Sequence, residues 1–237
     1  MNKFRGCYMN VYEIKLKVYL LKDIKYENCL EAVSSYLDSG LCKNEKFLDK
    51  HNEKEYKLYN FNYLYPIEKD KLYKKDKFYI LTIRTIDREI ADYIDSVICN
   101  HFDENIKGIT SEVKIIKRKI IDKIYSITPV LIKNNDGYWK KNNDLEFFEK
   151  RIKENVLKKY KYITNKELEV CDFYNEIKFK NHKPIATNFK NIKLLGDKIE
   201  LSIEDDPISQ EIAYMILGVG LAENNSRGAG FMNFRWV

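Results

Sequence analysis

Four of the nine glycines fall within thirteen positions of one stretch, Gly218-Val219-Gly220-Leu221-Ala222-Glu223-Asn224-Asn225-Ser226-Arg227-Gly228-Ala229-Gly230-Phe231. Glycine reaches positive φ and admits another backbone at close range without steric cost, so such a cluster commits the chain here to a tight loop or a close-approach surface. An apolar helical pattern precedes it and the alternation from Phe231 to Val237 follows it, which gives the order helix, loop, strand. That order excludes a dinucleotide fingerprint, which needs G-x-G-x-x-G between a strand and a helix. It also excludes a P-loop, which needs Gly-Lys-Ser/Thr opening a helix. Two uses remain: a helix cap followed by a turn, or a cradle of backbone N–H groups for phosphate, with Arg227 adding a planar donor fork.

The rest of the chain supplies the frame for that loop. Residues 8–21 alternate as a half-buried strand does, and Tyr26, Cys29, Leu30, Val33 and Leu37 then recur at helical spacing up to Gly40, placed as a C-terminal glycine. Tyr56–Tyr65 and Phe78–Ile86 are rich in aromatic and β-branched residues and read as paired strands. Asp87 can cap a helix with Ile90, Tyr93, Ile94, Val97 and Ile98 on its apolar face, and Val113–Ile121 reads as a fourth strand. The order βαββαβ is that of a ferredoxin-like module, an antiparallel sheet with two helices.

A second, looser copy begins near Tyr125. A strand runs through Ile132, a turn follows at Asn134-Asn135-Asp136-Gly137, and Phe148, Ile152, Val156 and Tyr160 mark a helix face. Strands follow at Ile177–Phe179 and Ile192–Ile203, the latter read as a hairpin turning at Gly196-Asp197. Asp206 and Pro207 then supply an N-cap and a first-turn proline for a helix through Ile208, Ile212, Met215 and Ile216, ended by Gly218. The expected fold is α+β: tandem ferredoxin-like βαββαβ modules with antiparallel sheets, in residues 1–124 and 125–237, the glycine-rich loop lying between the last helix and last strand of the second. At 237 residues the chain is long enough for two such domains without disulfide support.

Forty-two Lys and Arg against thirty-six Asp and Glu give a net charge of +6, which favours a polyanionic partner. The five cysteines (Cys7, Cys29, Cys42, Cys99, Cys171) lie far apart, without C-x-x-C spacing, and indicate neither zinc nor a disulfide framework. No metal site and no cofactor are expected. No run of apolar residues is long enough to span a bilayer, and a cytoplasmic location without membrane attachment is the expectation.

With Gly220, Ser226, Gly228 and Gly230 in the pattern Gly-x-Gly-x-x-x-Ser-x-Gly-x-Gly, the loop resembles the C-terminal signature of the CRISPR-associated endoribonucleases that process repeat RNA, members of the RAMP superfamily. Ala222 stands where that family usually has its second glycine, so the resemblance leaves part of that role to Gly218 or Gly220. It implies a tandem ferredoxin-like fold and metal-independent cleavage within CRISPR repeat RNA. The partners it implies are that RNA and other Cas proteins of a type I effector complex, for a monomer or homodimer. The alternative is a non-catalytic RNA-binding RAMP subunit.

Three histidines are available for acid–base chemistry: His51, His101 and His182. His101 follows a helix end beside Phe102, as a packed or capping residue does; His182 sits in a polar turn with basic neighbours and reads as an RNA contact. His51 lies in the polar stretch between the first helix and the second strand, where side chains are free to reach a ligand. The family resemblance places the catalytic histidine in this linker, with a lysine shortly after it and a tyrosine on the preceding helix. Here these correspond to His51, Lys57 and Tyr36, with Lys54 the rival for the lysine and otherwise an RNA contact. Tyr36 also borders the apolar face of its helix and fits core packing equally well. Gly220, Ser226, Arg227, Gly228 and Gly230 are the expected RNA-binding residues of the loop.

Overall fold

Ile14, Leu16, Val18 and Leu20 alternate with Lys15, Lys17 and Tyr19, and the four aliphatic side chains are fully buried on one face of β1 (Tyr12–Leu20). The computed structural model describes residues 9–52, 56–134, 137–169, 172–190 and 192–237, and the side chains of these except 50–52. After β1 come β2 (Ile24–Lys25), α1 (Cys29–Leu41), α2 (Glu45–Asn52), β3 (Tyr59–Phe61), β4 (Leu72–Tyr73), β5 (Phe78–Thr85), α3 (Arg88–Ser96) and β6 (Ile106–Ile115). The first sheet has the antiparallel order β3-β5-β1-β6, and β2 pairs with β4 beside it.

The remainder holds β7 (Ile121–Ser126), α4 (Leu145–Thr164), β8 (Tyr174–Phe179), β9 (Ile185–Phe189), β10 (Ile192–Gly196), β11 (Ile199–Ile203), α5 (Pro207–Val219) and β12 (Met232–Trp236). Its main sheet runs β12-β7-β11-β8, again antiparallel, while β9 and β10 form a separate hairpin. Each four-stranded sheet thus has the strand order of a βαββαβ unit, the ferredoxin-like arrangement expected twice over. Two cores match the two sheets: one from Ile14 to Ile106 around α1 and α3, the other mostly from Ile116 to Met232 around α4 and α5.

Several boundaries differ from the sequence reading. The fourth strand is Ile106–Ile115, not Val113–Ile121, because β6 is a sheet edge whose Thr110, Ser111 and Glu112 dilute its alternation. The next strand is Ile121–Ser126, so a domain division after residue 124 would cut through β7; the sheets part between Ile115 and Ile121. β10 and β11 are not a hairpin. At Gly196 the chain leaves β9 for the main sheet, and a Cβ there would lie 2.5 Å from the Val130 carbonyl oxygen. Gly40 does not end α1; it lies within the helix, buried against Ile98 and His101. Among the described residues no helix is long and apolar enough to cross a membrane.

The two modules are joined by buried polar contacts as well as apolar ones. Arg84 of β5 is buried, paired with Glu13 at 2.7 Å and donating to the Met232 carbonyl at 2.6 Å, with the rings of Phe231 and Phe234 stacked near it. Asn60 of β3 donates to the Gly218 carbonyl at 2.7 Å, and Val11 N–H donates to the Tyr214 hydroxyl. These contacts seat α5, and the loop that follows it, directly on the first module.

Candidate nucleic-acid interface

Asp206 caps α5 by accepting from the N–H groups of Ile208 and Ser209 at 2.9 and 3.1 Å, and Pro207 opens the first turn. The helix runs through Gly218, packed against Ile86, and stops at Val219; Gly220, at φ 77°, makes the turn that Gly218 was expected to make. The loop then closes on itself, with Leu221 N–H on the Gly230 carbonyl at 2.9 Å and Gly230 N–H on the Pro129 carbonyl at 2.8 Å. Gly228 turns at φ 83° over the first module, where a Cβ would come within 2.7 Å of Phe61 and 2.9 Å of Leu30. Ala222 adopts φ 58°, so this position keeps a left-handed backbone without glycine, at a cost of about 1–2 kcal/mol.

A short 3-10 turn, Asn225–Arg227, crowns the loop. The backbone N–H groups of Asn224, Asn225 and Ser226 find no acceptor among the described residues, and all three residues line a cleft of about 360 Å³. Five cationic side chains, Lys57, Lys133, Lys158, Lys159 and Arg227, line the same cleft against one carboxylate, Glu223. Glu223 is itself held by Arg151 at 2.8 Å and by the Lys133 N–H at 2.7 Å. Past Lys133 and Asn224 the cleft runs into a second one of about 440 Å³, lined by Tyr138, Lys193 and Leu194 among others. Free amide donors beside clustered cations in a concave site suit an anion, and the extended shape suits a chain of them.

The site residues expected from sequence do not all reach the cleft. Ser226 and Arg227 are at the cleft; Arg227 is exposed, its guanidinium stacked 4.0 Å from the centre of the Phe189 ring, while Gly228 and Gly230 are buried supports of the loop. Lys57 also reaches the cleft, with its ammonium 2.8 Å from Asp38. His51 lies on α2, where the sequence suggested an open linker; its side chain, and all of Lys54, lie outside the described residues. His182 is exposed in the turn after β8 and is not among the residues lining the cleft.

Tyr36 is corrected by the structure. It is fully buried in the first core, its hydroxyl donating to the Ile98 carbonyl at 2.6 Å, and burial pushes its pKa well above the ordinary tyrosine value. A group so placed reaches no substrate. Its neighbour His101 is a packed residue too: Lys43 approaches Nδ1 at 3.0 Å and Ser39 Oγ approaches Nε2 at 2.8 Å, and burial followed by the Lys43 charge lowers its pKa. The tyrosine at the cleft is instead Tyr56, 5.2 Å from the ring of Tyr162.

The residues that sequence reasoning missed are Lys133, Lys158, Lys159 and Asn225. Lys159 carried a readable signal: with Ile152, Val156, Tyr160 and Ile163 it falls on the buried stripe of α4, whereas Lys158 faces outward. Among the described residues no three His, Cys, Asp or Glu side chains gather as metal ligands.

Comparison with known proteins agrees with this architecture. Residues 110–234, which span β7–β12 and the glycine-rich loop, match the family model described as CRISPR associated protein Cas6, C-terminal. A curated relative, CRISPR-associated endoribonuclease Cas6 2 of Methanocaldococcus jannaschii, is 25% identical over 245 residues, covering 93% of this chain and 98% of its own. A solved structure described as CRISPR associated protein Cas6 superposes with a TM-score of 0.70 at 19% identity, over 95% of this chain and 99% of that one. Another, described as an RAMP protein binding different RNA substrates, gives a TM-score of 0.71 at 17% identity, over 94% of this chain and 99% of that one. More than half of the chain is matched by the family model, the two sheets have the fold of these structures, and the chain belongs to the Cas6 family of CRISPR-associated proteins.

Proposed function

We propose that this protein is an endoribonuclease that cleaves CRISPR precursor RNA within its repeats, and that the RNA lies along the basic cleft beside the glycine-rich loop. The observation that carries this reading is the cleft itself: loop residues whose N–H groups have no acceptor among the described residues line it together with Lys158 and Arg227, in a member of a family whose curated relative is named an endoribonuclease. Phosphate contacts fix the strand, and the half-exposed Tyr56 at the cleft offers a face for base stacking.

The chemistry of the reading is internal transesterification. The ribose 2′-oxygen attacks the adjacent phosphorus, the bond to the departing 5′-oxygen breaks, and a proton leaves the first oxygen as another reaches the second. His51 serves as the acid–base group, imidazole being the side chain whose ordinary pKa lies nearest neutral pH, and such groups contribute about 10²- to 10⁴-fold in rate. Lys57 serves as the cation beside the negative charge growing on phosphorus, and must exchange Asp38 for phosphate to do so. His51 is five residues before Tyr56, so the chain holds its backbone within about 18 Å of the cleft lining.

The test is the nature of the ends. Repeat RNA incubated with the protein in excess EDTA is expected to yield 2′,3′-cyclic phosphate and 5′-hydroxyl termini. A 3′-hydroxyl with a 5′-phosphate, or activity abolished by EDTA, contradicts the mechanism; RNA that is bound but never cut favours a binding subunit.

A further inference from the structure

Lys159 is buried and its ammonium touches no carboxylate among the described residues. Its three donors go to the Gly220 carbonyl at 2.9 Å, the Ala222 carbonyl at 2.7 Å and Asn225 Oδ1 at 2.5 Å. A buried cation without a counter-ion is costly, and here only oriented amide dipoles replace the lost water. Asn225 is buried too, and its Nδ2 donates to the carbonyls of Leu221 and Ala229, each at 2.9 Å.

Together these two side chains hold four carbonyl oxygens, those of residues 220, 221, 222 and 229, facing into the protein. The four come from both limbs of the glycine-rich loop. A loop whose carbonyls are taken up by these two buried donors, and whose Asn224, Asn225 and Ser226 N–H groups have no acceptor among the described residues, suits an anion at its rim. An ammonium is required for this arrangement, because a neutral amine has two N–H donors and would set a lone pair against the third oxygen.

We propose that Lys159 and Asn225 are positioning residues that hold the glycine-rich loop in the shape that accepts phosphate, and that they do so only while Lys159 is protonated. The proposal rests on the reading of this loop as an RNA contact. Burial pushes the Lys159 ammonium down to about 7, with the nearby Glu223 charge opposing that shift. Among the described residues, the other charged or titratable groups facing the same space are Arg227 of the loop, Lys158 of α4, Tyr56 and Lys57 before β3, and Lys133.

Two consequences of this titration run in opposite directions. The folded-state pKa lies below that of an unfolded lysine, so from about pH 7 upward the unfolded chain binds more protons and this group makes the fold more stable as pH rises. The phosphate-binding loop, however, loses its third hydrogen bond over the same range. A residue with a purely structural role would make RNA affinity follow stability.

The experiment uses the full chain and repeat RNA carrying a 2′-deoxynucleotide at the cleavage site, in a His51→Ala background that removes the histidine assigned to the reaction. Wild-type Lys159 is expected to give an affinity that falls between about pH 6 and pH 8.5 while thermal stability does not fall. Lys159→Met is expected to bind about tenfold more weakly at the low end of that range, to lose the pH dependence, and to exchange the amide hydrogens of residues 221–230 faster. Should that variant not fold, Asn225→Asp keeps a partner for the ammonium while losing both donors to Leu221 and Ala229, and is expected to weaken RNA binding likewise. Affinity that follows stability with pH, or variants with unchanged affinity and loop exchange, would overturn the proposal. Absence of salt-dependent RNA binding by wild type would instead sink the reading on which it rests, and loop exchange in the variants would still report on the support.

Discussion

Gly230→Ala is expected to destabilise the protein by about 2–5 kcal/mol, the largest stability loss of any single methyl added to the loop. Two costs combine. The residue sits at φ 63°, where an L side chain loses about 1–2 kcal/mol, and the new Cβ would overlap the Leu221 carbonyl oxygen, a backbone atom held in place by Asn225. Relieving that overlap breaks the Leu221 to Gly230 hydrogen bond that closes the loop, and overpacking of this kind costs about 1–3 kcal/mol. Gly137 is the internal control: its φ is 92°, yet nothing among the described residues lies within 4 Å of its Cβ position, so Gly137→Ala is expected to show the backbone cost alone. At about 2–4 °C per kcal/mol for a chain of this size, thermal melting separates the two variants. Equal melting temperatures would mean that the loop closure is not under the constraint described.

Removing Lys158 and Arg227 together is expected to produce the largest change in RNA affinity. Neither makes an ion pair with a described residue, and both line the cleft, so their charges are available to phosphate. Each cation withdrawn from a phosphate should lower the slope of log affinity against log salt by about 0.7 for single-stranded RNA, or about 1.4 for the pair. At low salt each cation–phosphate pairing is worth about tenfold or more in affinity, on the scale of one charge-assisted hydrogen bond, and the deficit should shrink as salt rises. Arg227→Ala also removes the guanidinium from the Phe189 ring, so Lys158→Ala by itself is the cleaner reading of charge. The double variant should stay within about 2–4 °C of the wild-type melting temperature, because surface substitutions of this kind shift stability by no more than about 0.5 kcal/mol each. An unchanged salt slope would place the RNA elsewhere on the molecule.

The parts of this structure that sequence alone made legible are those whose signals are local. Asp206 and Pro207 mark the start of α5, Asp87 marks α3 by accepting from Glu89 N–H, and the glycines mark the loop, because capping and left-handed turns act within a few residues. The sheet orders followed from the element order, since a βαββαβ chain has few ways to close. Elements whose identity depends on distant partners were not legible. β10 and β11 look like one hairpin until β9 and β8 are available as partners, and β6 loses its alternation because it is a sheet edge with no buried residue after Gly108.

The same distinction governs the site. Tyr36 lay between two readings because its hydroxyl partner, the Ile98 carbonyl, is 62 residues away and invisible to spacing. α2 was read as linker because its eight residues carry only Phe47 and Leu48 as apolar side chains amid charged neighbours. Lys158 and Lys159 look alike as a basic pair and both border the cleft, yet one is exposed and the other is buried beneath the loop; the helical period of α4 separates them once the buried stripe is traced.

Cleavage of repeat RNA by wild type and His51→Ala, measured side by side under single-turnover conditions, tests the central claim that His51 of α2 supplies the acid–base group and the loop the grip. The account predicts that the variant binds the RNA as wild type does and cuts it about 10²- to 10⁴-fold more slowly. Equal cutting rates would contradict it.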